Sequence, residues 1–144
     1  LRKRVSPGYM MEKLYSKALA RGNNTVIESI RALGEIETLR RLSPSFILFA
    51  VDAESSIRYK RVRARGSETD DVSYNKFLSD ETRESTSTAS WASNLRSCIK
   101  EADYVFMNNG TIATLHRQIE KALAEIERQP KVMPAGRQAI KGSL

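Results

Sequence analysis

Phe46-Ile47-Leu48-Phe49-Ala50-Val51 places six apolar residues in succession. The run lacks the alternation of a half-solvated strand, so it predicts a strand covered on both faces, the situation inside a parallel sheet. Parallel strands cannot be joined by tight turns. They need crossover segments, usually helices, so helical patterns are expected on either side of this run.

The rest of the chain supplies them. Ser6-Pro7 suits an N-cap with proline at the first helical position. Residues 8–21 then carry Met10, Leu14 and Ala18 at helical spacing beside Met11, Tyr15 and Leu19, and Gly22-Asn23-Asn24 stops the pattern. Thr25–Ile30 reads as a further strand, followed by a helix over 34–42 that faces Leu33, Ile36, Leu39 and Leu42 inward. After the apolar strand and Asp52, helix 55–65 carries Arg58, Lys60, Arg61, Arg63 and Arg65. Ser73 caps a helix over 74–84 with Phe77 and Leu78 inward, and Trp91, Leu95, Cys98 and Ile99 form a short helical stripe. Tyr104-Val105-Phe106-Met107 predicts a third strand, and residues 112–127 a last helix. The expected fold is α/β, a three-layer sandwich around a parallel sheet, with about three strands and six helices. Residues 1–128 form the domain, with a lid around 58–90, and 129–144 form a basic disordered or docking tail.

Composition narrows the class. No apolar run approaches the roughly 18 residues of a membrane helix, and the basic start Leu1-Arg2-Lys3-Arg4 is not followed by a signal-like apolar segment. The single cysteine rules out an internal disulfide framework and suits a reducing, intracellular and cytoplasmic setting. Of the net charge of +7, residues 1–23 carry +5 and residues 128–144 carry +4, while the intervening segment is −2. The basic ends lack interleaved aromatics, so nucleic acid is not the expected partner. The lone histidine, His116, has no second ligand nearby for a zinc site. Cys98 lies in an apolar stripe and reads as core.

The candidate chemistry lies where strands end. Glu28 and Arg31 stand at or just past the end of Thr25–Ile30. They suit either anion binding or a mutual ion pair at a strand–helix corner. Arg58, Arg61 and Arg65 share one helical face and need acids or an anionic ligand to balance them. Asn108-Asn109-Gly110-Thr111 forms a turn after the third strand.

In this order the pieces resemble the P-loop nucleotide kinases, specifically the nucleoside monophosphate kinase and dephospho-coenzyme A kinase group. Ile27-Glu28-Ser29-Ile30-Arg31 with Gly34-Glu35 is similar to the group's acid-x-x-Arg corner. Phe49–Ala53 with Arg58, Arg61 and Arg65 resembles its strand and arginine-bearing lid helix. Asp70 to Glu84 resembles the lid and return helix, and Ala102–Thr111 the last strand and the loop beside the donor adenine. The resemblance spans residues 8–127. It implies ATP-dependent phosphoryl transfer, with Mg2+, to a nucleotide or nucleotide-like acceptor (a monophosphate or dephospho-coenzyme A). Arg31 would hold the acceptor phosphate near Glu28. Arg61 and Arg65 would close over the phosphates, with Arg58 as support and Arg83 as a contact from the return helix. Asn108, Gly110 and Thr111 would line the adenine site.

One departure is specific: no G-x-x-x-x-G-K-[ST] occurs among the 144 residues. In the group, that loop follows a strand lying between the counterparts of Thr25–Ile30 and Phe46–Val51. The resemblance therefore implies that N-terminal strands are missing and that this chain is the C-terminal part of a longer kinase-like protein, inactive alone. It also implies an exposed sheet edge able to support association or homo-oligomers. The alternative is a kinase-like module that binds nucleotide or protein without catalysis.

Overall fold

In the computed structural model, residues 8–22, 24–66, 72–85 and 93–128 are described. The Ser6-Pro7 cap, Trp91, much of the lid loop and the tail after 128 lie outside them. Six helices and two strands follow in order: α1 (Tyr9–Arg21), α2 (Leu33–Leu42), β1 (Phe49–Asp52), α3 (Ser55–Arg65), α4 (Tyr74–Ser85), α5 (Leu95–Lys100), β2 (Tyr104–Met107) and α6 (Ile112–Arg128). The fold is α/β. β1 and β2 pair in parallel, with Phe49 opposite Tyr104 and Asp52 opposite Met107.

The ladder is anchored beyond both ends. Leu48 O accepts from Asp103 N at 2.9 Å, and Asn108 N donates to Asp52 O at 2.7 Å. The Asp103 carboxylate also accepts from Leu48 N at 2.7 Å. One face carries an aromatic group: Phe49 meets Tyr104 and Phe106 edge to face at 5.5 and 5.1 Å between centroids, a favoured geometry for ring quadrupoles.

The core lies between the sheet and α2 and α5. Ile36, Leu48 and Cys98 are buried together, with Ile30, Leu33, Phe46 and Ala102 packed around them. Glu35 explains how α2 begins in this apolar setting. Its Oε2 accepts from Arg31 N at 2.9 Å and Ala32 N at 3.1 Å, satisfying amides at the helix start. α1 packs on α2 and comes very close at Gly8, where a Cβ would overlap the Thr38 side chain. Gly22 ends α1 in the left-handed region, with φ 70° and its N–H on Leu19 O, a conformation that costs other residues about 1–2 kcal/mol.

Two strand expectations require correction. Thr25–Ile30 is not a strand, so the described residues contain two strands rather than three. Its β-branched composition is right, but a strand is made by its ladder partner, and residues 24–30 face β1 across a cleft instead of bonding to it. Ser29, at φ 65°, turns the backbone out of the extended region. Val26 is 84% exposed. The second correction concerns Phe46–Val51. Ladder pairing starts at Phe49, and the run is not covered on both faces: Ile47, Phe49 and Val51 remain 39%, 37% and 53% exposed. The same cleft leaves them uncovered.

Gly8→Ala is expected to destabilise the protein by about 1–3 kcal/mol through overpacking against Thr38. Urea unfolding should show a lower midpoint with an unchanged slope; an unchanged midpoint would show that the α1–α2 contact yields freely.

Candidate functional site

Parallel pairing sends the carboxyl ends of β1 and β2 to the same edge, where ligands of open α/β sheets bind. The segments leaving the two strands are fastened together there. Glu54 N donates to Asn109 Oδ1 at 2.8 Å, and Asn109 Nδ2 donates to Glu54 Oε1 at 3.2 Å. Thr111 Oγ1 accepts from Thr114 N at 3.2 Å and caps α6. The edge therefore presents the Asp52–Glu54 segment, the Asn108–Thr111 turn and the first turns of α3 as one unit.

Arg58 binds this unit to α4. Its Nε and Nη2 fork onto Glu81 Oε1 and Oε2, both at 2.7 Å. Nη1 donates to Asp52 Oδ1 at 2.8 Å and to Ala53 O, and Nη2 donates to Ser55 Oγ at 2.9 Å. All five N–H donors of the guanidinium are thus engaged within the protein. The Glu81 hydrogen bonds, followed by the charges of Glu81 and Asp52, raise the Arg58 pKa further despite partial burial. Arg58 is a strut in this structure. Its partner Glu81 was not legible from sequence, because the two stand 23 residues apart with no periodic relation.

Arg61, one turn on, reaches across to β2. Nη1 donates to Asn108 O at 2.8 Å, and Nη2 lies 3.5 Å from both Asn108 Oδ1 and Gly110 O. Three expected site residues, Arg61, Asn108 and Gly110, are thereby brought together, and Thr111 adjoins them. Arg65 is exposed on the last turn of α3.

Arg83 lies on α4 and pairs with Asp80 at 2.9 Å. Asp80 also receives Lys76 at 2.6 and 2.7 Å. The Lys76 hydrogen bonds, reinforced by the charges of Lys76 and Arg83, hold its carboxyl below the ordinary value of 3.8. Arg83 is not among the residues lining the cleft.

Glu28 and Arg31 do not form the ion pair that their spacing allowed. Glu28 is exposed on the wall of the cleft. Among the described residues, none accepts a hydrogen bond from the Arg31 guanidinium, while its backbone is fixed on both sides: N donates to Glu35, and O accepts from Asn94 N at 2.8 Å. An exposed cation on a fixed main chain is a ready anion contact.

Cys98 is buried in the core, and burial together with the Glu35 charge pushes its thiol pKa up. His116 is exposed on α6. No group of three or more His, Cys, Asp or Glu among the described residues is arranged to hold a metal ion. No helix among them is long and apolar enough to cross a membrane.

A cleft of about 1750 Å³ lies between residues 24–30, β1, α4, α5 and the end of α6, and Asp52, Arg58 and Glu81 are among its lining residues.

The chain is similar to archaeal UPF0200 proteins. It is 31% identical over 111 residues to one from Pyrobaculum aerophilum, a match covering 76% of this chain and 60% of that protein. It is 30% identical over 103 residues to one from Pyrococcus horikoshii, covering 70% and 52% respectively. A third, from Methanothermobacter thermautotrophicus, is 26% identical over 113 residues, covering 78% and 56%. The chain thus spans between half and three-fifths of the length of these relatives, and their names state no activity. No family model matches.

Two outcomes follow from this geometry. Glu81→Gln is expected to leave Arg58 with a weaker partner and to cost about 1 kcal/mol, the scale of a partly exposed ion pair. Hydrogen exchange should quicken in α4 while β1 and β2 keep their protection; equal loosening of all three would refute the strut. Asp80 should titrate below 3.8 by NMR and move upward in Lys76→Ala. Because its folded pKa is lowered, its contribution to stability is present above the ordinary pKa and disappears as pH falls through the folded value. An unmoved titration in the variant would overturn the assignment to Lys76.

Proposed function

We propose that the protein is nucleotide kinase-like, its three-layer α/β domain transferring a phosphoryl group from ATP to a nucleotide or nucleotide-like acceptor, a monophosphate or dephospho-coenzyme A. The observation that carries this reading is the Arg61 bridge. It brings an arginine-bearing helix to the turn after β2, at the carboxyl edge of a parallel pair and beside a large cleft. That is a position from which guanidinium groups reach phosphate oxygens while a turn holds a base.

In this reading Asn108, Gly110 and Thr111 line the donor base. Arg61 exchanges its carbonyl partners for phosphate oxygens on binding, and Arg65 adds charge one turn further along. Arg58 stays on Asp52 and Glu81 and fixes the angle of α3. Arg31 meets the acceptor phosphate, with Glu28 across the mouth of the cleft, and Arg83 belongs to the lid surface. Transfer of this kind depends on positioning and charge stabilisation more than on covalent chemistry. The described residues do not themselves form a magnesium site: Asp52 and Glu81, the carboxylates nearest the edge, are committed to Arg58. No step is therefore assigned to the metal.

The 144 residues contain no P-loop. Transfer is proposed for a whole protein in which polypeptide beyond them cradles the triphosphate. The same absence favours a second reading, a module that binds nucleotide without turning it over.

The test is calorimetric titration with ATP, paired with a phosphoryl-transfer assay on the whole gene product. Arg61→Ala is expected to weaken ATP at least about tenfold, the scale of a charge-assisted hydrogen bond. Arg31→Ala should raise the acceptor KM and leave ATP affinity unchanged. ATP binding without transfer would select the second reading. No binding, or binding indifferent to Arg61, would reject both.

A further inference from the structure

Asn109–Gly110 is the only Asn-Gly pair among the 144 residues, and it stands in the turn that leaves β2. Glycine is usually required in a turn where φ is positive or where a side chain has no room. Neither condition holds at Gly110. Its φ lies outside the left-handed region, where the described glycines Gly22 and Gly66 are found. A Cβ built on Gly110 would meet nothing nearer than Thr114 Oγ1 at 3.9 Å, an ordinary contact. What the glycine does supply is an amide nitrogen with no β-carbon beside it, directly after an asparagine. Among the described residues, none accepts a hydrogen bond from Gly110 N, and Asn109 and Gly110 are both exposed.

An asparagine followed by such an amide can react with it. The Gly110 nitrogen attacks Asn109 Cγ, and the new N–Cγ bond closes a cyclic imide. The Cγ–Nδ2 bond breaks, and Nδ2 leaves as ammonia with the proton given up by Gly110 N. Water then adds to either imide carbonyl and breaks that C–N bond. The product is aspartate, or isoaspartate with the main chain running through the former side chain. No electrons are exchanged, and solvent water is the co-reactant.

Glu54 stands against this reaction. It grips the Asn109 carboxamide at both ends: Oδ1 accepts from Glu54 N at 2.8 Å, and Nδ2 donates to Glu54 Oε1 at 3.2 Å. Attack requires Cγ to swing toward the Gly110 nitrogen, and departure requires Nδ2 to leave the carboxylate. A closed clamp opposes both movements.

We infer that Asn109 is a self-modification site, guarded by Glu54, whose conversion permanently unfastens the segments leaving β1 and β2. An aspartate here has no N–H to offer Glu54 Oε1 and sets a second carboxylate against the first. An isoaspartate also lengthens the main chain between the Asn108 and Gly110 carbonyls that Arg61 approaches. The inference rests on the chemistry of this pair and is independent of phosphoryl transfer.

The test is to age the 144-residue chain in warm, mildly alkaline buffer and follow each asparagine by peptide mass spectrometry, with isoaspartate resolved by chromatography. Asn109 is expected to convert while Asn75, Asn94 and Asn108 remain amides. Gly110→Ala should slow conversion about tenfold, because a Cβ crowds the attacking nitrogen. Glu54→Ala keeps the backbone N–H and removes the carboxylate, and should quicken conversion roughly two- to tenfold, the scale of one hydrogen bond. Glu54→Gln, which retains a neutral acceptor, should fall between Glu54→Ala and the parent, and this grading separates loss of the guard from loss of the fold. In the converted chain the Glu54 amide should exchange with solvent about tenfold faster, with the Phe106 amide in the ladder unchanged. Conversion at Asn109 no faster than at Asn75 or Asn94, or a rate indifferent to the Glu54 variants, would overturn the inference. So would a converted chain whose Glu54 amide exchanges as before.

Discussion

Four residues of β1 lying against four of β2 hold the molecule in register. The pair fixes which backbone ends meet: Leu48 and Asp103 at one edge, Asp52 and Asn108 at the other. Because the strands are parallel, both outgoing segments reach the same edge. The Glu54–Asn109 bond, the Arg58 strut and the Arg61 bridge all depend on that coincidence. An antiparallel pairing of the same residues would send Asp52 and Asn108 to opposite ends and leave α3 with nothing to bridge.

Arginines in this fold divide by position rather than by type. Arg58, at the first turn of α3, meets acids from two elements and becomes structural. Among the described residues, Arg61 meets carbonyl and carboxamide oxygens, which are neutral acceptors that an anion can replace. Arg31 extends from a pinned backbone into solvent. Three residues of the same chemistry thus hold, bridge and wait, and the difference lies in whether carboxylates stand opposite them. This graded availability is what the kinase-like reading builds on.

Most helices were legible because each carries enough 3.6-residue periodicity to be read without its partners. α2, α3 and α6 begin or end within a residue or two of the expected limits, and β2 agrees. Thr25–Ile30 was misread because β-branched residues report a preference, whereas a strand also needs a hydrogen-bonding neighbour, and this segment has a cleft beside it. The expectation that Phe46–Val51 is covered on both faces fails for a related reason: an apolar run records what the chain is suited to meet, and among the described residues a cleft lies against part of it. The Arg58–Glu81 fork and the Gly8–Thr38 contact join residues with no local relation. Glu35 falls at the start of the helix expected over 34–42. That it caps the amides of Arg31 and Ala32 follows only when the side chain is seen folded back.

The central claim is that ligand chemistry belongs to the shared carboxyl edge. Hydrogen exchange of the protein with and without saturating ATP tests it most directly. The account predicts slowed exchange at Ala53–Glu54, at Asn108–Thr111 and in the first turns of α3, with the opposite edge around Leu48 and Asp103 unchanged. Protection centred on Leu48 and Asp103, or none anywhere, would contradict it.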